Sequence, residues 1–315
     1  MIKSYHDLIA RWARRMLICS IVLCTIVIAI AAFAATGDHS FDEIRQQASI
    51  TSSYNFSPLP ANAGKGITVA IISQGISQGI KSRLGSRLSA YSVLPGTSSP
   101  FEDDDPTIGS SIGTQMASLV GALAPYARII TVKAMDSNGS GSYADIRNGI
   151  TRATELGAKI IVLPISARND DAGVAGAINV ALKRGVLVVA SAANSNSYGA
   201  EFPARMDGVV AVGATDVQEK VAPFSNYGGK IIFAPGVKIT VAGRSDEQSG
   251  TSHAATVAGA IFAVLWSQNP GMSRQRLVDV VTGSAKAITA RDGGSARLID
   301  GQAALKAFKR PGKGK

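Results

Sequence analysis

The chain has 315 residues, 46% hydrophobic and 17% charged, with a formal net charge of +10, which fits one α/β domain of about 240 residues behind an N-terminal apolar segment. The basicity sits at the ends: residues 1–15 hold Lys3, Arg11, Arg14 and Arg15 against Asp7, residues 306–315 hold five Lys and Arg, and the rest of the chain is left with +2, which argues against a nucleic-acid-binding body with a basic stripe. Both cysteines, Cys19 and Cys24, lie inside the apolar segment, which excludes a disulfide scaffold and a thiolate metal site in the body.

In chain order, residues 1–15 read as a basic cytoplasmic N-terminus, with Trp12 as an interfacial anchor. Residues 16–37 carry no charge, and an apolar helix of about 20 residues crosses a bilayer. Arg11, Arg14 and Arg15 before this run and Asp38 after it place the N-terminus in the cytoplasm and the body in the periplasmic or extracellular compartment, as a single-pass membrane protein. The other reading is a signal peptide cleaved near Ala34, after Ala32-Phe33-Ala34; either way the body is exported. Residues 38–65 read as a polar linker ending in Pro58, Pro60 and Gly64.

From residue 66 to 305, apolar β-rich runs alternate with helical patterns, which predicts a mostly parallel sheet covered on both faces. Strands are expected at 67–73, 128–135, 159–165, 186–190, 209–213 and 231–234, and helices at 110–123, 142–156, 173–183, 252–266 and 273–281. The 252–266 helix is apolar on most sides and is expected to be buried. Residues 306–315 form a basic tail, read as a solvated or anionic-lipid-facing end. Glu102-Asp103-Asp104-Asp105 before Pro106 is a solvated acidic turn or, alternatively, a calcium loop, since carboxylates suit that ion; no other cofactor or metal is expected.

Several of these segments stand in a meaningful order. Val69-Ala70-Ile71-Ile72-Ser73-Gln74-Gly75-Ile76, Ile112-Gly113-Thr114-Gln115-Met116-Ala117, Val188-Val189-Ala190-Ser191-Ala192-Ala193-Asn194 and Gly250-Thr251-Ser252 followed by Val257-Ala258-Gly259 together resemble the subtilisin-like serine proteases, or subtilases. The resemblance implies a three-layer α/β fold over 66–305 with Ser252 at the nucleophile position and Asn194 at the oxyanion position. It also places Ser73 where the family has its triad aspartate and Ile112 where it has the general base. Pro164 stands for a serine on the strand that pairs with substrate, and proline removes an N–H from that ladder. Ala193 replaces the glycine before the oxyanion asparagine, so the peptide groove would run past Pro164 and Ala193. Phe202-Pro203 matches an X-Pro step often cis in the family. The segment after Ser252 is one residue short and lacks the family's proline.

A serine hydroxyl is a weak nucleophile until a base takes its proton, and that base needs a carboxylate to fix its tautomer. Isoleucine has no basic atom, and serine carries no charge. Losing the base costs on the order of 10⁶ in kcat and losing the aspartate about 10⁴, magnitudes that come from a subtilisin itself. What could persist is an oxyanion hole built from Asn194 and the backbone N–H at the start of the Ser252 helix, about 10³–10⁴ over water. His253 is next to Ser252, but neighbours on a helix point about 100° apart. A helical glutamate base, as in the sedolisin branch, is closed off because no Asp or Glu lies between Ile112 and Ala134. A lysine base stays open. The expectation is therefore an exported, membrane-anchored pseudoprotease that binds a peptide or protein, scaffolds a membrane complex, or serves as a decoy for an active protease paralogue. The alternative is an active serine endopeptidase using Ser252 with a non-standard or substrate-donated base.

Overall fold

Short runs of consecutive apolar residues, with no polar alternation, build the centre of the molecule. The computed structural model describes residues 39–102 and 111–308. In chain order these form α1 (Phe41–Gln46), α2 (Ala48–Thr51), β1 (Thr68–Ser73), α3 (Gln78–Leu84), β2 (Leu88–Ser92), α4 (Ile112–Leu123), β3 (Arg128–Lys133), α5 (Tyr143–Glu155), β4 (Ile160–Leu163), α6 (Ala172–Lys183) and β5 (Leu187–Ser191). They continue through β6 (Val209–Thr215), β7 (Ile232–Pro235), α7 (Thr251–Ser267), α8 (Arg274–Ser284), β8 (Lys286–Thr289), β9 (Ser295–Leu298) and α9 (Gly301–Phe308). The nine strands make one sheet in the order β2-β3-β1-β4-β5-β6-β7-β9-β8. All pairings are parallel except the β8–β9 ribbon at one edge.

Successive residues of a strand point to opposite faces, and here both faces are dry, as a parallel sheet requires. Val69, Ile71, Ile160, Val162, Leu187 and Val189 pack toward α4 and α7, whereas Ala70, Ile72, Ile161, Leu163, Val188 and Ala190 pack toward α5 and α6. The result is the three-layer α/β architecture expected from the sequence. Helix α7 lies under the middle of the sheet with 15 of its residues buried, which explains an apolar character too uniform for a surface helix. Helix starts are fixed by side-chain caps: Ser111 on α4, Ser142 on α5, Asp171 on α6 and Ser273 on α8 each accept a backbone N–H of the first turn.

Residues 39–65 correct the expectation of a polar linker. Ser40 and Glu43 form a capping box that starts α1, Ile44 and Ile50 are 0% exposed, and the Tyr54 hydroxyl donates to the Leu123 carbonyl. One or two apolar residues per turn are enough here because α4 supplies the opposite wall. Residues 16–37, the basic N-terminus, Asp103–Asp105 and residues 309–315 lie outside the described residues, and with them the expected membrane helix, the calcium loop and most of the basic tail. Among the described residues no helix is long and apolar enough to cross a membrane. The Phe202–Pro203 peptide bond is cis.

Candidate functional site

The C-terminal ends of β1, β3 and β4 and the N-terminal ends of α4 and α5 converge on one cleft, where sequence-distant residues meet, and Ser252 at the start of α7 adjoins it through its bond to Pro164. Its open volume is about 430 Å³, and Gln74, Ile112, Met135, Tyr143, Pro164 and Phe202 are among its walls. The lining is apolar apart from a few polar groups, a composition suited to holding side chains of a ligand.

On the β5–α7 side, polar contacts are continuous. Asn194 Oδ1 accepts from the Thr251 backbone N–H at 3.0 Å and from the Thr251 hydroxyl at 2.8 Å. Ser191 Oγ in turn donates to Thr251 Oγ1 at 2.6 Å. With its oxygen committed, exposed Asn194 has its amide N–H groups left for a ligand. Ser252 is the second residue of α7, where a backbone N–H has no acceptor within the helix. Free N–H donors of this kind are what an oxyanion hole is built from.

The Ser252 hydroxyl itself donates to the Pro164 carbonyl at 3.0 Å. A carbonyl holds that proton but does not remove it. Among the described residues no histidine, carboxylate or lysine amine bonds to Ser252 Oγ. His253 turns away into the protein: it is 3% exposed, its Nε2 lies 2.9 Å from Gln115 Oε1, and its Nδ1 has no partner. Nε2 therefore carries the proton toward Gln115, and burial pushes the imidazole pKa down to about 4. Lys133, also buried, donates its amine to the Phe101 carbonyl at 2.9 Å.

On the β1–α4 side the two positions expected for the triad aspartate and base, 73 and 112, hold neutral side chains. Ser73 ends β1, 1% exposed, with its hydroxyl unpaired. Ile112 opens α4 and packs against the core on the α7 side of the sheet. Gln74, which sequence reading passed over, ties this side together. Its Oε1 accepts the Ile112 N–H at 2.8 Å, and its Nε2 donates to the Ser137 carbonyl at 2.8 Å. The start of α4 sits so close to the loop after β1 that a Cβ on Gly113 would lie 2.3 Å from the Gly75 carbonyl oxygen.

Pro164 is a wall of the cleft. Ala193 is 1% exposed, so its side chain is buried rather than presented to a ligand. Its φ is +92°, a conformation in which a Cβ is strained by roughly 1–2 kcal/mol, which supplies the physical reason for a glycine there. Glu102 is described but its acidic neighbours are not. Among the described residues no group of His, Cys, Asp or Glu is arranged to hold a metal ion.

Comparison with known proteins agrees with this geometry. The model of the subtilase family matches residues 64–302. Subtilisin Savinase of Lederbergia lenta is 32% identical over 256 residues, covering 77% of this chain and 92% of that protein. Thermitase of Thermoactinomyces vulgaris is 31% identical over 214 residues, 62% of this chain and 75% of the relative. A thermophilic serine proteinase of Bacillus sp. (strain AK1) is 36% identical over 190 residues, 56% of this chain, and the match spans about half, 47%, of that protein's length. Among solved structures, a cold adapted subtilisin-like serine proteinase has the same fold with a TM-score of 0.67 at 22% identity, covering 76% of this chain and 90% of that one. A mutant of the protease domain of PatA gives 0.69 at 23% identity, covering 79% and 98%.

Proposed function

The chain belongs to the subtilase family, and from that premise we propose that its domain is a pseudoprotease, a module that holds a peptide or protein segment in the cleft without cleaving it. The observation that carries this reading is the hydrogen bond from Ser252 Oγ to the Pro164 carbonyl, with isoleucine and an uncharged serine at the two positions that would activate the hydroxyl. A serine without a base loses on the order of 10⁶ in kcat, whereas a groove with free amide donors keeps its capacity to bind a backbone carbonyl. The partner is a peptide or protein, in a membrane complex or an active protease of the same family.

A second reading is favoured by one specific feature. The Asn194–Thr251 pair and the unpaired N–H of Ser252 would serve as oxyanion donors, and one relative named above is a thermophilic serine proteinase. An endopeptidase using Ser252 with a base brought by its substrate would need nothing else from this side. A fluorophosphonate probe separates the two: the proposal expects no label above that on Ser252→Ala, and labelling abolished by Ser252→Ala would favour the enzyme.

The proposal also has residues 16–37 crossing the membrane, with the N-terminus cytoplasmic and the domain in the exported compartment. N-terminal sequencing of the protein from cells tests this: a start near residue 35 would mean secretion after cleavage near Ala34.

A further inference from the structure

The cleft lies at the C-terminal ends of the parallel strands, and the chain enters the domain at the other end. Helix α4 begins in the cleft with Ile112 and runs 12 residues, roughly 18 Å, to Leu123. The N-terminal segment grips that far end: Arg45 Nε donates to the Ala122 carbonyl at 2.9 Å, and Phe41 lies against Gly121. Arg83, near the lower end of α3, donates to the His39 carbonyl and stacks over Phe41 at 4.5 Å. The fold is thus built from His39 onward, and only Asp38 separates it from the uncharged run 16–37. Two residue steps of extended chain reach about 7 Å, far less than a 28-residue linker would have allowed.

The same end of the sheet is basic. Lys65 precedes β1, Arg128 opens β3, Lys159 precedes β4, and Lys183 and Arg184 precede β5; all five are exposed. Backbone bonds from Arg128 to Ile67, Lys159 to Thr68 and Leu187 to Lys159 hold these strand starts side by side. Tyr126, 58% exposed, stands among them at the turn into β3. Among the described residues, acidic groups at this end are partnered: Asp42 pairs with Arg45, Glu155 with Arg152 and Asp207 with Lys230, and Glu43 caps α1. The loops at the cleft end mix both signs, Asp136, Asp170 and Asp216 with Arg168 and Lys220. Exposed lysine and arginine with a tyrosine, on a surface tethered this closely to an apolar run, match an anionic lipid headgroup layer.

We infer that the N-terminal ends of the strands rest on the bilayer surface and that the cleft opens away from it, toward segments that protrude into the exported compartment. This rests on residues 16–37 spanning the membrane. The test uses the full chain with Cys19 and Cys24 changed to serine and a single fluorophore on Ser86→Cys, at the basic end, or on Asn138→Cys, at the cleft. Each is reconstituted in vesicles of phosphatidylcholine with 30% phosphatidylglycerol carrying a headgroup nitroxide. The expected result is quenching at residue 86 at least about threefold stronger than at 138. Charge reversal by Arg128→Glu, Lys159→Glu and Arg184→Glu is expected to reduce the quenching at 86 at least twofold. Vesicle flotation distinguishes the failures. Protein that floats but shows equal quenching at both positions overturns the orientation alone. Protein that does not float overturns the anchoring and the orientation with it.

Discussion

On one wall of the cleft, Asn194, Thr251 and Ser191 share a chain of hydrogen bonds that fixes an amide facing outward. On the other, Gln74 ties the first N–H of α4 to the Ser137 carbonyl, Ile112 joins the core, and the Ser73 hydroxyl is buried without a partner. The first side offers N–H donors; on the second, the described residues Ser73, Gln74 and Ile112 offer no ionisable side chain. In the proposed reading, recognition of a carbonyl and activation of a nucleophile are separable because they would reside on different secondary-structure elements, with different packing demands.

The comparison is broken most strongly by restoring the second wall. Ser73→Asp combined with Ile112→His should raise fluorophosphonate labelling of Ser252 at least about tenfold over wild type, with Ile112→His alone giving a smaller rise and Ser73→Asp alone leaving it at background, because the carboxylate acts only through the base. Circular dichroism verifies that the variants fold. No gain from the pair would mean that the Asn194 wall has moved as well.

The two walls are joined through His253, which reaches from α7 to Gln115 on α4. Its pKa is pushed down to about 4 by burial, from an ordinary value of 6.5. The unfolded chain takes up this proton as pH falls through 6.5 and the folded one only near 4, so stability is full above 6.5 and is lost between 6.5 and 4, by about 3 kcal/mol. Urea midpoints at pH 7 and pH 4.5 measure it, and His253→Leu should flatten that part of the slope even if it lowers stability at pH 7.

Smaller effects sharpen the contrast. Gln74→Ala removes both bonds of a side chain that is 7% exposed and leaves the Ile112 N–H without its acceptor; the expected loss is about 2 kcal/mol by urea denaturation. Ala193→Gly should have the opposite sign. Relief of the +92° backbone outweighs the entropy that glycine adds to the unfolded chain, for a net gain of under about 1 kcal/mol in the same assay.

The sheet interior was legible in the sequence because strands dry on both faces appear as unbroken apolar runs, as in Val69–Ile72 and Val188–Ala190. Elements with no such run were missed. Strand β2 is half-buried, β8 lies at an exposed edge, and α1 has one buried residue, Ile44. Ser40 followed three residues later by Glu43 was the available signal for α1. In the cleft, the identities at 73, 112, 194 and 252 could be read directly. The bonds that give them meaning could not, since Ser252 to Pro164, Gln74 to Ile112 and His253 to Gln115 span 88, 38 and 138 residues and depend on how helices and strands settle against one another. The strain at Ala193 was equally invisible, because it belongs to the backbone.

The most direct test is rapid mixing of the purified full chain with a p-nitrophenyl ester, following nitrophenolate release in the first turnover. If, as proposed, the Ser252 proton has no acceptor but the Pro164 carbonyl, release should be linear from the start and identical in Ser252→Ala. A burst approaching one equivalent per chain, absent in Ser252→Ala, would contradict the account.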